Sequence, residues 1–477
     1  MPANQQKKSP PTPTRSLDIP FDVLVIGAGV VGCALARRFA LQGAKVAIAE
    51  KASDILDGAS KANSAILHTG FDAPPGSLEL ACIRDGYDEY IKIHRDMGLP
   101  LENDGAHVIA WTDEEAARLE GILDQAHTNA VTDVRRISAC ELARREPNLA
   151  RTAKAAIFIP GESIIDPWSA PYAYLHQALM NGAQVFLSCN ITGGKFDGDH
   201  WSLQTTQGPL KSKYVINCAG LYGDRVDKAL LGHSGFHITP RKGQFVVFDK
   251  AASKLITSVI LPVPTARTKG VVLFKTIFGN LAVGPTAEDQ QSRTDSSTDE
   301  TALRGLIAAG VEKLPALETM PVTAVYAGLR PASEFKDYQI AAHPERNWIS
   351  VGAIRSTGLS GALGIAHHVY RLYANMGPAH DPVADPKIPQ ATILAQKGER
   401  DWRTANHGEI VCHCELVTSR EIKAALSGPL AARSLAGLKR QTRATMGRCQ
   451  GFFCTSHLAE LTRGHFEIPL AGETGDE

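Results

Sequence analysis

The 477-residue chain carries no net charge, because fifty Lys and Arg are matched by fifty Asp and Glu. That balance argues against a nucleic-acid surface or an acidic tail. The chain also lacks any apolar run of the roughly eighteen residues needed to cross a bilayer. Its opening stretch, MPANQQKKSPPTPTRSLDIP, has no apolar core behind the lysines and so does not read as a secretory signal. The Pro, Lys, Ser and Thr content predicts a disordered lead-in over residues 1–19. No C-x-x-C pair occurs among the nine cysteines, so the usual structural-zinc knuckle fits poorly. With 44% hydrophobic and 21% charged residues, what remains is a soluble globular chain of two or three domains. It reads as cytoplasmic, with reduced thiols, and as reaching the inner membrane only through a partner.

What the chain does contain begins at residue 21. FDVLVIGAGVVGCALARRFALQGAKVAIAEK (21–51) reads as strand, turn, helix and strand. The apolar run Val23 to Ile26 suits a parallel strand covered on both faces. Gly27, Gly29 and Gly32 then complete G-x-G-x-x-G: a tight turn, close backbone approach to a pyrophosphate, and close helix–strand packing. The helix N-terminus supplies unpaired N–H groups for that pyrophosphate. The second strand ends in Glu50, eighteen residues after Gly32, placed to accept from an adenosine ribose. Two later segments bring backbone close to a ligand. KYVINCAGLYGDRV (213–226) is a strand running into Ala219 and Gly220, and WISVGAIRSTGLSGALGIAHHV (348–369) is a strand feeding a helix opened by Gly358, Gly361 and Gly364. No second complete fingerprint exists, which argues against a separate NAD(P)H site within this chain.

Cys33, Cys82, Cys140, Cys189 and Cys218 are scattered through apolar stretches, where buried packing is the expected role. The other four cluster as Cys412-x-Cys414, thirty-four residues, then Cys449-x₄-Cys454. Four thiolates on short loops beside helices can hold zinc or an iron–sulfur cluster. A capping box, Thr418 with Glu421, opens a helix between the two pairs. Residues 376–408, with four prolines and many charges, read as a linker.

From about residue 21 to 375 the chain resembles the FAD-dependent oxidoreductases of the D-amino-acid-oxidase type, in the branch of glycerol-3-phosphate and L-2-hydroxyglutarate dehydrogenases. The resemblance rests on VIGAGVVG, SKANSAILHTGFDAPPGSLEL (60–80), ITPRKGQF (238–245), GNLAVGPTAE (279–288), YAGLRP (326–331) and GLSGALGIA (358–366). It implies an α/β and α+β architecture: a Rossmann-like FAD-binding domain interleaved with a large-sheet substrate domain over residues 20–375. GRCQGFFC (447–454) resembles the ending of bacterioferritin-associated ferredoxin domains. That likeness implies a small helical 2Fe–2S domain over 409–466 with Cys412, Cys414, Cys449 and Cys454 as ligands, His413 outside the set, and a tail over 467–477.

The resemblance places Lys61, Asn63, Ser64 and His68 on a loop beneath the flavin, with His68 as base because its pKa lies near working pH. It makes Arg330 the clamp for the substrate's anionic group, which a guanidinium fork suits. Arg241, Lys242 and Arg355 are secondary candidates, and Arg355 reaches the flavin itself. The implied substrate is a small anionic secondary alcohol, with phosphate or carboxylate left open. A cluster moves electrons singly and gives reduced flavin an exit without oxygen, so a dehydrogenase is expected rather than an oxidase. The acceptor is expected to be a ferredoxin-like protein, a partner subunit or a quinone-linked carrier. Oxidation of an amino or imino acid within a multi-component dehydrogenase, and a flavoprotein that only relays electrons, remain alternatives. The presence of both His68 and Arg330 argues for substrate chemistry.

Gly29→Val is expected to yield protein that purifies without flavin, read from its visible absorbance. Full yellow colour would show that another loop holds the pyrophosphate.

Overall fold

The computed structural model describes residues 20–264 and 270–471. The expected disordered lead-in, residues 1–19, lies outside the described residues, as does the end of the tail. The elements used below run β1 (Phe21–Ile26), α1 (Val30–Leu41), β2 (Val46–Ala49), α2 (Leu78–Ile93) and α3 (Ser169–Met180). They continue with β3 (Gln184–Phe186), β4 (Leu210–Asn217), β5 (Ile238–Phe248), β6 (Val322–Ser333), β7 (Trp348–Gly352) and α4 (Gly358–Ala374). The C-terminal part holds β8 (Ile410–Cys412), β9 (Val417–Thr418), α5 (Ser419–Ala425), α6 (Leu435–Thr442) and α7 (Thr455–Leu461).

The first sheet is parallel at its centre, in the order β3-β2-β1-β4-β7. The interior strands β1 and β2 are apolar on both faces, as strands sandwiched between layers must be. Helices α1 and α4 cover one face and join it in a single core with α2 and α3. Two glycines let α2 and α4 touch backbone to backbone. A Cβ on Gly86 would sit 2.2 Å from the Ser360 carbonyl oxygen, and one on Gly364 2.0 Å from that of Cys82. This contact fixes where α4 begins.

The second, nine-stranded sheet is mixed and mainly antiparallel. Its spine is β5 paired along its length with β6, in a register that sets Arg241 opposite Arg330 and Gly243 opposite Gly328. Segments of both sheets alternate along the chain, so the two subdomains are interleaved. Four of the five scattered cysteines are buried, but Cys140 is exposed. It lies in a short helix, Ala139–Arg145, that buries Leu142 and turns its first residues outward. Among the described residues no helix is long and apolar enough to cross a membrane.

Residues 376–408 form a packed strap with a single helical turn, Asp401–Arg403. Val383 N–H donates to Leu41 O, Ala391 N–H to Met97 O, and Gln396 N–H to Ile277 O. Leu394 and Ala395 enter the core beneath the second sheet. Proline and charge remove regular hydrogen bonding here without removing docking. The strap delivers a hairpin, β8 and β9, and helices α5 to α7 around a small core of their own. The predicted capping box of Thr418 and Glu421 opens α5.

This small domain is docked on both subdomains. Asp54, buried in the loop after β2, accepts from Arg433 N–H (3.0 Å) and Ser434 Oγ–H (2.7 Å) at the start of α6. On the other side, Arg448 pairs with Asp249 (2.9 Å) and Lys250 with Glu415 (3.3 Å). Asp54→Ala is expected to destabilise the docked domain by about 2 kcal/mol, the order for a buried acceptor that leaves two donors unpaired. Limited proteolysis within 376–408 and a separated C-terminal unfolding transition are the readouts. A single, unshifted transition would mean that the dock is held elsewhere.

Candidate functional site

A cavity of about 840 Å³ opens where the carboxyl ends of β1, β2, β4 and β7 meet the substrate sheet. Its lining includes Gly27, Gly29, Glu50, Lys61, Asn63, Ser64, Ala219, Gly220, Arg330, Arg355 and Gly358. Gly32 and Gly361 do not line it. A Cβ at Gly32 would lie 1.9 Å from the Gly27 carbonyl oxygen, so this residue packs α1 onto β1. Gly361 faces the Tyr338 hydroxyl, 3.0 Å from the position of a Cβ.

The fingerprint loop is held from behind. Glu50 accepts from Ala28 N–H (2.7 Å) and Ala52 N–H (2.9 Å), and Ser60 Oγ accepts from Val30 N–H (3.0 Å). Burial pushes the Glu50 carboxyl above its ordinary pKa against the pull of those two N–H groups. Asn63 Oδ1 accepts from Ala65 N–H (2.7 Å), and the buried Tyr326 hydroxyl donates to Asn63 O (2.9 Å). These bonds shape the loop that forms the cavity floor.

Arg330 is the cationic feature of the opposite wall. Its Nη2 donates to Thr286 O (2.5 Å) and Lys242 O (3.4 Å), and no carboxylate pairs with it among the described residues. Burial, then the neighbouring Arg241, lowers the guanidinium pKa to about 10. Gly243 makes room for it, because a Cβ there would sit 2.2 Å from Nη2. Arg241 is committed to a bidentate pair with Asp289 (2.6 and 2.9 Å), and Lys242 faces Asp295 (3.5 Å); neither lines the cavity. Arg355 has a left-handed backbone (φ 58°) and donates to Lys336 O (2.5 Å).

His68 lies outside the cavity lining. Its N–H donates to Ser360 Oγ (2.9 Å), two residues beyond Gly358, and its Nδ1 lies 2.7 Å from Glu162 Oε2. The other Glu162 oxygen accepts from Thr69 N–H (2.7 Å) and Oγ1–H (2.9 Å). Glu162 is completely buried and follows His68 by ninety-four residues, a separation that left no trace in the motifs. Arg293 was also missed. It lines the cavity, yet is buried in a pair with Asp224 (2.5 and 2.8 Å) that ties the cavity wall to Leu221 O and Ile238 O.

In the small domain, Cys412, Cys414, Cys449 and Cys454 line a second cavity with His413 and Phe453, about 390 Å³ in volume. Backbone N–H groups, that of Phe453 foremost, hold the Cys449 thiol below its ordinary pKa. Among the described residues no three such side chains are gathered as one ion requires. The sulfurs instead surround a space.

A model of the FAD dependent oxidoreductases matches residues 22–372. The chain belongs to that family. A model of the BFD-like [2Fe-2S] binding domain matches residues 410–463. The chain is 32% identical to the glycerol 3-phosphate dehydrogenase of Caloramator mitchellensis, over 92% of this chain and 93% of that one. It is 28% identical to the mitochondrial L-2-hydroxyglutarate dehydrogenase of Caenorhabditis elegans, over 69% of this chain and 78% of that one. Among solved structures it superposes on the L-alpha-glycerophosphate oxidase of Mycoplasma pneumoniae, solved with FAD bound. The TM-score is 0.73, with 27% identity over 79% of this chain and 100% of that chain.

This oxidoreductase binds FAD and carries a 2Fe–2S domain, and the residues present fit both groups. A Cβ on Gly27 would fall 2.7 Å from the Cys218 carbonyl oxygen, so only glycine leaves this crossing of strand ends open. The larger cavity lies within the range of cofactor sites. The four cysteines lining one small cavity form a donor set for an iron–sulfur unit. Cys449→Ser is therefore expected to remove most of the iron and the visible shoulder of the cluster while leaving FAD at full occupancy. Full iron content in this variant, measured against protein, would remove Cys449 from the ligand set.

Proposed function

We propose that the chain is a dehydrogenase of a small anionic secondary alcohol, a glycerol-3-phosphate-like polyol phosphate or a 2-hydroxy acid. The observation that carries this reading is Arg330, a half-buried cation on the cavity wall whose hydrogen-bond partners among the described residues are carbonyl oxygens. Burying a charge without a counterion is costly, so the site is incomplete until an anion arrives. The named substrates of relatives that align over most of the chain, glycerol 3-phosphate and L-2-hydroxyglutarate, both carry such an anion beside a secondary hydroxyl.

Bound FAD would supply the acceptor for the hydrogen that leaves the carbinol carbon with its electron pair. The protein's own groups then have three tasks. Arg330 grips the anionic end and so turns the carbinol carbon toward the floor loop of Lys61, Asn63 and Ser64. Glu162 accepts from His68 Nδ1–H, which sets the tautomer; because His68 does not line the cavity, it would take the hydroxyl proton through a relay rather than by direct contact. Arg355, at the cavity edge, adds positive charge where reduction leaves negative charge. Cys412, Cys414, Cys449 and Cys454 would hold the cluster through which electrons leave, one at a time, to an external carrier. Free thiols in this number suit the reducing cytoplasm.

Anaerobic mixing of the holoenzyme with a panel of polyol phosphates, 2-hydroxy acids and amino acids tests the reading. Flavin bleaching by an anionic hydroxy compound is the expected result, and bleaching by amino acids alone would overturn it. With the substrate so identified, Arg330→Ala is expected to raise KM and to lower kcat/KM by about 100-fold, roughly 3 kcal/mol, the order for a lost charge-assisted contact. Unchanged kinetics would assign the anion to another residue.

A further inference from the structure

The flavin cavity and the cysteine cavity are joined by a run of contacts through Trp168, Phe278 and Arg443. Lys61 and Pro167 line the flavin cavity. The Lys61 carbonyl accepts from Trp168 Nε1–H at 3.2 Å. The Trp168 ring stacks on Phe278, with centroids 5.4 Å apart and planes 17° from parallel. Over the Phe278 ring also lies the guanidinium of Arg443, 3.9 Å from the centroid. Arg443 Nε donates to Glu415 Oε2 at 2.9 Å, and Glu415 directly follows Cys414. Gly447 closes the run against the same turn, since a Cβ there would lie 2.2 Å from Cys414 Cβ.

Each member is held in place by something other than its neighbours in the run. Trp168 N–H is capped by the buried Asp166 (2.9 Å) at the head of α3. Phe278 is buried beside Ile277, whose carbonyl binds the strap through Gln396. Arg443 is buried in a left-handed backbone conformation (φ 66°) just past the end of α6. Of the contacts between the small domain and the rest that are described above, this is the one that stacks rings between the cavities. The docks at Asp54 and Asp249 are hydrogen bonds and ion pairs without a ring.

We infer that electrons cross from the flavin cavity to the cysteine cavity through the packed contact of Trp168, Phe278 and Arg443. The inference rests on the reading that reduced flavin is emptied through the cluster. Close van der Waals contact between delocalised groups couples two centres far better than a gap or solvent. The guanidinium over Phe278 lowers the potential energy of negative charge passing beneath it. None of the three is itself oxidised or reduced. Each crossing takes one electron from reduced FAD and adds one to the oxidised cluster, while the flavin's proton leaves to solvent. The second electron follows once an external one-electron carrier has taken the first from the cluster.

Flash photoreduction of the loaded holoenzyme with 5-deazaflavin and EDTA tests this without any substrate. Equilibration between flavin and cluster is followed at their separate absorbance bands. Phe278→Leu and Trp168→Leu are expected to slow it about ten-fold or more, with iron content, FAD content and both midpoint potentials unchanged. Trp168→Phe, which keeps a ring, is expected to restore most of the rate. Phe274→Leu, a loss of equal size in the same core, is expected to leave it unchanged. Wild-type rates in both Leu variants, or equal slowing by Phe274→Leu, would overturn the route. A wild-type enzyme that never equilibrates flavin with cluster would overturn the exit through the cluster and the route together.

Discussion

The molecule is organised around one steric constraint, the crossing of α1 over the end of β1. Gly32 rests on the Gly27 carbonyl with no room for a Cβ, and Gly27 itself abuts the Cys218 carbonyl at the end of β4. Three backbone segments therefore meet at the head of α1, along one edge of the larger cavity. From this crossing follow the position of Glu50, the course of the loop from Asp54 to Ser64, and the floor on which a substrate is oxidised. That loop also carries the dock for the C-terminal domain, at Asp54, four residues beyond Glu50.

A second constraint is electrostatic. The substrate sheet brings Arg241 and Arg330 opposite each other on β5 and β6, an unfavourable pairing for like charges. Asp289 neutralises Arg241 at the rim, while Arg330 is left to backbone oxygens. One half-buried cation is thus left without a carboxylate partner among the described residues, the feature on which the proposed anion site rests. Its close relatives in sequence act on compounds of that charge.

Much of this was legible in the chain itself. The β1–α1–β2 unit announces its strand by a continuous apolar run and its turn by three glycines, both local signals. The four clustered cysteines stand out because their spacing is unlike a zinc knuckle and their flanking residues are distinctive. The partners of those residues were not legible. Glu162 meets His68 only because Ser163–Ile165 pairs with Ile66–Leu67 in a small sheet, and no local pattern encodes that pairing. Arg293 sits in QSRTDSST, a stretch that reads as solvated loop, yet Asp224 draws it inside. Cys140 follows an apolar-looking stretch but belongs to a short helix buried at Leu142 alone. Residues 376–408 have a linker's composition, but composition reports on hydrogen-bond periodicity and not on whether apolar side chains such as Leu394 find a groove.

The packed strap has a kinetic meaning. A domain swinging on a free tether meets its partner site by diffusion, at an effective concentration set by tether length. Here the ordering entropy is settled once, when the chain folds, and the two redox sites keep a fixed separation afterwards. Transfer between them is then first order, indifferent to enzyme dilution and to solvent viscosity. Under the proposed function, the encounters with substrate and with an outside acceptor are the steps that stay bimolecular. Turnover should therefore saturate with acceptor concentration, and the ceiling it reaches would be a property of the folded chain alone.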